Sequence, residues 1–163
     1  MAISTDGYIA KKDGDSDWVS EQDFPNFQKK MAEMGCIIVG NRTFQQYQGV
    51  LYPVRNVTNL VLTSNKLLKS SEKNVVFCHS VEEVLSTAQE TRHDRALLIG
   101  GGTTNGLFLE KNLIDETYFV VHPLLLGEGI KLFENSNKNI NLRLLEEKVV
   151  ENKLVYLHYD VEK

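Results

Sequence analysis

The chain has 163 residues and a mass of 18.5 kDa, the size of one domain spanning 1–163. Apolar residues make up 42% and charged residues 25%, a globular composition that excludes a disordered chain, and no apolar run reaches the roughly 20 residues of a spanning helix. The net charge is -4 with no Lys/Arg block, which argues against nucleic acid as a partner.

Met1-Ala2-Ile3-Ser4-Thr5-Asp6-Gly7 lacks a basic stretch followed by an apolar one, so no secretory signal is expected. Ala2–Ser4 reads as the stub of a first strand. Asp13–Asp17 is a loop of turn formers, and a helix is expected from about Asp23 to Met34. Cys36-Ile37-Ile38-Val39 is a short continuous apolar run, the mark of a strand buried on both faces. Gly40 ends it, and a short helix carrying Thr43, Phe44 and Tyr47 follows. Leu60–Leu62 and Val75–Phe77 read as further buried strands. Ser80 then caps a helix with Glu83 as its capping-box partner. Ala96–Ile99 is another strand and runs into Gly100-Gly101-Gly102 and a helix reaching about Lys111. Glu116–Val121 is a strand. Leu142–Val150 and Leu154–Asp160 form a hairpin around Glu151-Asn152-Lys153. Alternation of strands and helices predicts an α/β fold with a mainly parallel sheet and one antiparallel edge.

Cys36 and Cys78 fit no zinc or CxxC spacing and read as buried, inert thiols, which makes the cytoplasm the expected compartment. His79, His93, His122 and His158 show no ligand spacing, so no metal is expected.

Two strand-to-helix junctions carry glycine: Gly40-Asn41-Arg42-Thr43 and Gly100-Gly101-Gly102-Thr103-Thr104. Glycine lets a phosphate approach the backbone, and a helix N-terminus offers free N–H groups. Each glycine could equally do no more than make a tight turn. Neither loop fits the G-x-G-x-x-G or P-loop pattern. Pro25 suits a first helical turn, which puts Asp23 at the helix start as a cap; the other choice is Ser20 as cap with Asp23 as its partner. Trp18 and Phe27 are by default core residues. His122 faces a ligand or is a hydrogen-bonded structural histidine. Gly127-Glu128-Gly129 is a substrate loop or a turn, and Leu124–Leu126 reads as an apolar patch for pairing.

Taken together, Ala2-x-Ser4-x-Asp6-Gly7-x-Ile9-Ala10, Asp13-Gly14-x-x-x-Trp18, Gly40-x-x-Thr43-Phe44, Leu98–Gly102, Asn112–Glu116 and Pro123-x-Leu125-Leu126-Gly127-x-Gly129-x-x-Leu132-Phe133 resemble the dihydrofolate reductase-like superfamily. The closer likeness is to the reductase domain of the bifunctional riboflavin-biosynthesis deaminase–reductase, over nearly the whole chain. The resemblance implies a three-layer fold, a central sheet flanked by helices with a C-terminal antiparallel hairpin. It implies NADPH as cofactor, held by Gly40, Asn41, Arg42 and Thr43 on one side and by Ile99, Gly100, Gly101, Gly102, Thr103 and Thr104 on the other. Thr63 and Ser64 would lie near the adenosine, and Ala2 and Ile9 would flank the nicotinamide. A cis peptide between Gly100 and Gly101 is part of the same likeness. The spacing of Trp18, Asp23 and Phe27 resembles true dihydrofolate reductases, in which the acid anchors and helps protonate a pterin.

The chain departs from that pattern at Asn41, where many relatives have arginine, and at Thr103, where a base is usual; Arg42, Ser64 and Lys66 are candidate substitutes. It begins inside the expected first strand, and it has no deaminase motif. The resemblance therefore implies a cytoplasmic, NADPH-dependent oxidoreductase acting on a small heterocycle, with 5-amino-6-(5-phosphoribosylamino)uracil as the first substrate. Asp23 would be catalytic, Trp18, Phe27 and His122 would bind substrate, and relatives pair as homodimers. Dihydrofolate reduction is the alternative, and a non-catalytic nucleotide-binding module is the second.

Overall fold

The computed structural model describes residues 1–151 and 153–163, so Asn152, which the sequence placed in the expected hairpin's connection, lies outside the described part. The chain opens with β1 (Ala2–Ser4), β2 (Tyr8–Ala10), α1 (Phe24–Met34), β3 (Cys36–Gly40), α2 (Asn41–Gln46), β4 (Thr58–Leu62) and β5 (Val75–Cys78). It continues with α3 (Val81–Glu90), β6 (Leu97–Leu98), α4 (Gly102–Glu110), β7 (Glu116–His122), β8 (Ile130–Lys131), β9 (Leu142–Val150) and β10 (Leu154–Val161). Contacts group these into two compact units: Phe24–Thr104, and Met1–Asp23 with Asn105–Lys163.

The Phe24–Thr104 unit is built on a parallel sheet in the order β5-β4-β3-β6. β3 pairs on both edges and packs against α1 and α2, and Cys36, Ile37, Ile38 and Val39 are all buried. Met31 of α1, Phe44 of α2, Ile37, Val39, Val61 and Ile99 form one apolar cluster, with Phe27 packed partly buried against it. Asn59 is the polar exception inside this unit. Its amide gives Nδ2 to the Val57 carbonyl at 2.7 Å and accepts the Val54 N–H at 2.8 Å, so it closes the loop before β4 instead of leaving backbone groups unpaired. Ser80 caps α3 as its spacing implied: its hydroxyl accepts the Glu83 N–H at 3.1 Å. The Glu83 carboxylate reaches one residue further back, to the His79 N–H at 2.6 Å.

The other unit carries a sheet in the order β1-β7-β10-β9 and a two-stranded pair, β2-β8. β1 runs parallel to β7, while β7, β10 and β9 are antiparallel neighbours, with a bulge between His158 and Tyr159. The hairpin falls where the sequence placed it. β2 and β8 were not expected, because two- and three-residue strands carry no readable alternation and their pairing spans over a hundred residues. Register sorts this sheet into two faces. Val155, Leu157, Tyr159 and Val161 share one with Leu142, Leu144 and Val149, whereas His158, Asp160, Glu116 and Arg143 occupy the other. The polar face is internally paired: Arg143 with Asp160, and His158 with Glu116 at 2.8 Å under a stacked Tyr118 ring.

Candidate functional site

Each unit carries one cluster of the expected site residues. In the Phe24–Thr104 unit, β3 and β6 are parallel neighbours, so the two glycine turns leave adjacent strand ends. They lock together. The Gly40 N–H donates to the Gly100 carbonyl at 2.7 Å, and the Gly101 N–H donates to Thr43 Oγ1 at 3.1 Å. A Cβ on Gly40 would stand 2.4 Å from Thr104 Oγ1, so any side chain there would have to displace that hydroxyl. The Gly100–Gly101 peptide is cis, and Gly100 has φ +98, a conformation that favours glycine. The glycines thus serve close approach of one turn to the other.

What the turns leave over is ligand-binding capacity. α4 starts at Gly102, and its first-turn N–H groups have no acceptor inside the helix. Asn41 Oδ1 is buried with no hydrogen-bond partner among the described residues. Arg42 is exposed in the first turn of α2, with no ion-pair partner found among the described residues. Thr63 is buried at the end of β4: its N–H donates to the Cys78 carbonyl, its hydroxyl accepts the Asn65 N–H, and its carbonyl takes His79 Nδ1–H at 3.2 Å. Ser64 beside it is exposed, as is Thr103. Ile99 is buried in the apolar cluster, so its side chain is committed to packing. Phe27 belongs to the same cluster. Ala2 and Ile9 lie on β1 and β2 of the other unit.

In that other unit, Asp23 is only 6% exposed and follows a turn closed by its N–H to the Ser20 carbonyl at 3.0 Å. Helix α1 starts one residue later, so the turn favours Asp23 over Ser20 as the helix boundary. Its Oδ1 accepts the Tyr156 hydroxyl at 3.0 Å, a partner 133 residues away that the sequence did not reveal. A carboxylate offers about four acceptor positions, of which the Tyr156 hydroxyl uses one.

In the same unit, Trp18, Ser20, His122, Pro123, Leu124 and Leu154 line a largely apolar cleft of about 260 Å³, with Gln22 and Lys153 completing its wall. Trp18 stands edge-on to His122 at 5.3 Å between centroids. The indole Nε1 is buried with no acceptor among the described residues. His122 is 3% exposed, and both ring nitrogens are engaged. Nδ1 lies 3.0 Å from the Val120 carbonyl, which only accepts, so Nδ1 carries the hydrogen; Nε2 then accepts the Ser20 N–H at 3.1 Å. The ring can therefore present its face to the cleft but has no free nitrogen for a ligand.

Cys36 and Cys78 are both buried and free, and burial pushes the Cys36 thiol up to about 11. Among the described residues no group of three or more His, Cys, Asp or Glu could hold a metal ion, and no helix is long and apolar enough to cross a membrane.

Residues 1–156 match the RibD C-terminal domain family, and the chain belongs to that family. The uncharacterized protein YwjB of Bacillus subtilis (strain 168) is 26% identical over 164 residues, covering 98% of this chain and 94% of its own. Among solved structures, a putative riboflavin biosynthesis protein from Shewanella sp. PV-4 superposes with a TM-score of 0.80 at 23% identity, over 100% of this chain and 97% of that one. The Thermotoga maritima diaminohydroxyphosphoribosylaminopyrimidine deaminase/5-amino-6-(5-phosphoribosylamino)uracil reductase gives 0.77 at 18% identity, covering 98% of this chain and 54% of that longer one. Enterococcus faecalis dihydrofolate reductase, solved with NADP(H) and RAB-propyl, gives 0.74 at 25% identity over 99% and 94%. The fold is dihydrofolate reductase-like, with the parallel sheet, helices and C-terminal antiparallel hairpin that the sequence implied.

Proposed function

We propose that the chain is an NADPH-dependent reductase of a pyrimidine- or pterin-type heterocycle, with 5-amino-6-(5-phosphoribosylamino)uracil as first substrate. The observation that carries the reading is the pair of interlocked glycine turns on adjacent strand ends, in a chain that matches a reductase-bearing family along most of its length. The residues present fit a dinucleotide. Asn41 Oδ1, buried without a partner, would accept a ribose hydroxyl, and the N–H groups opening α4 would take phosphate oxygens. Arg42 would face the 2′-phosphate that distinguishes NADPH, standing in for the arginine expected at position 41. A nicotinamide, when bound, supplies the hydride.

The protein's own contribution is positioning. Asp23, braced by Tyr156, would accept N–H bonds from the heterocycle's edge and keep it in register. Trp18 would give its unpaired indole N–H to a ligand carbonyl and its ring edge to the cleft wall. Dihydrofolate reduction is the second reading, favoured by the Trp18/Asp23/Phe27 spacing and by the length-wide likeness to the E. faecalis enzyme.

Two further parts of the reading concern the setting. The chain pairs as a homodimer: the sheet-edge strand β9 exposes Leu142, Leu144, Leu145 and Val149 beside Arg143, Glu146, Glu147 and Lys148, whereas only Leu125 of the Leu124–Leu126 patch is exposed. Two buried, unpaired thiols suit a reducing, cytoplasmic compartment. Light scattering at twice 18.5 kDa would support the dimer, and a monomer mass would reject it.

Titration with NADPH and NADH tests the cofactor assignment. Binding of NADPH at least tenfold tighter than NADH, lost in Arg42→Ala, is the expected result. Binding of neither would remove the reductase reading, and equal binding of both would remove the role given to Arg42.

A further inference from the structure

We propose that Asp6 is a positioning residue for the ligand cleft: its carboxylate sets the place of the His122–Leu124 wall by gripping the backbone just beyond it. This rests on the reading of that cleft as the substrate site. Ser4 is fully buried at the end of β1, and its hydroxyl donates to Asp6 Oδ1 at 2.6 Å while accepting the Tyr8 N–H at 2.9 Å. The carboxylate so aimed accepts the Leu126 N–H at 3.1 Å on Oδ1 and the Gly127 N–H at 2.7 Å on Oδ2. Thr5 adds its N–H to the Leu124 carbonyl at 2.8 Å and its hydroxyl to the His122 carbonyl at 2.9 Å. One four-residue turn thereby holds the segment that supplies three cleft-lining residues.

Beyond these bonds the segment is held by the Tyr8 hydroxyl, which donates to the Gly127 carbonyl at 3.4 Å, and by the exposed Lys12–Glu128 ion pair. Residues 123–129 form no helix or strand, and Leu125 is 73% exposed, so burial of apolar surface does not fix its path. The Ser4 hydroxyl and the two N–H groups together hold the Asp6 carboxyl below the usual carboxylate range, as expected of an acid used as a threefold acceptor. An amide cannot replace it. Asn at position 6 has one acceptor oxygen, and its NH₂ would face the Gly127 N–H, donor against donor.

Trp18 is the sole tryptophan and stands against His122, so its fluorescence reports the wall without any substrate. Asp6→Asn is expected to red-shift Trp18 emission and raise its acrylamide quenching about twofold at a temperature where the variant is folded. Asp13→Asn, which removes the charge but keeps the one acceptor oxygen that the Asp15 N–H uses, is expected to change neither. In the unaltered protein the Gly127 amide should exchange at least about tenfold slower than an unbonded amide. If the Trp18 signal of Asp6→Asn matches that of the unaltered protein, or the Gly127 amide exchanges at its free rate, the proposal is overturned, whatever the reaction. With 5-amino-6-(5-phosphoribosylamino)uracil as probe, Asp6→Asn should raise KM about tenfold, roughly one charged hydrogen bond, and leave the dissociation constant of NADPH unchanged. A fall in kcat with unchanged KM would also overturn it.

Discussion

Alanine at position 40 would place its methyl carbon 2.4 Å from Thr104 Oγ1, about 1 Å inside ordinary contact. The other near atoms, Thr104 Cβ and the Gly100 carbonyl oxygen, would lie at an acceptable 3.6 Å, so a single hydroxyl is responsible for the conflict. Thr104 is buried on α4, where its side chain has few alternative rotamers. Overpacking of this kind costs about 1–3 kcal/mol, and in a chain of this length about 2 kcal/mol lowers Tm by roughly 4–8 °C. Thr104→Ala removes the offending oxygen, so the two substitutions are coupled. In urea unfolding, Gly40→Ala should lose about 2 kcal/mol in the natural background and under about 0.5 kcal/mol when Thr104 is already alanine. Equal losses in both backgrounds would refute the interlocked geometry of the two turns.

Asp23→Asn should leave the melting temperature within a few degrees, because the Tyr156 hydroxyl can donate to an amide oxygen, while kcat/KM falls about a hundredfold; turnover within threefold of the unaltered enzyme would remove Asp23 from the mechanism. Gly106→Ala would drive a Cβ to 1.8 Å from the Glu134 carbonyl oxygen, a backbone atom that cannot swing aside, and little folded protein is expected by circular dichroism. The buried Cys36 and Cys78 thiols should resist a thiol reagent at pH 8 until the chain is unfolded. Burial pushes the Cys36 thiol from 9.0 up to about 11, so its protonated form favours the fold. Stability should hold below pH 9 and fall as pH rises toward 11, less steeply in Cys36→Ala; a flat profile over that window would contradict the burial effect.

Features whose cause is local were legible in the sequence. The Cys36–Val39 strand shows as an uninterrupted apolar run because both of its edges pair and both of its faces are covered. The Ser80 cap shows because its partner is three residues away. The glycine turns were visible, but their reason was not: Gly40 answers to Thr104, which lies 64 positions later. β2 and β8 escaped because strands of two or three residues have no period to detect. In the site, residue types pointed to Asp23 and Trp18, yet Tyr156 behind Asp23 and the grip of Asp6 on residues 126 and 127 are products of the folded sheet. His122 stood between two roles in the sequence. Its bonds to Val120 and Ser20 commit its nitrogens to structure and leave only its ring to the cleft.

The central claim is hydride transfer to a pyrimidine- or pterin-type substrate, and turnover tests it most directly. Purified protein, NADPH and 5-amino-6-(5-phosphoribosylamino)uracil are mixed and nicotinamide oxidation is followed, with dihydrofolate as the parallel substrate. The account predicts stoichiometric oxidation with the phosphoribosylamino-uracil, about a hundredfold slower in Asp23→Asn. Oxidation with dihydrofolate alone would shift the assignment to the folate reaction. NADPH bound but never oxidised by either substrate would contradict the account and leave a nucleotide-binding domain without reductase chemistry.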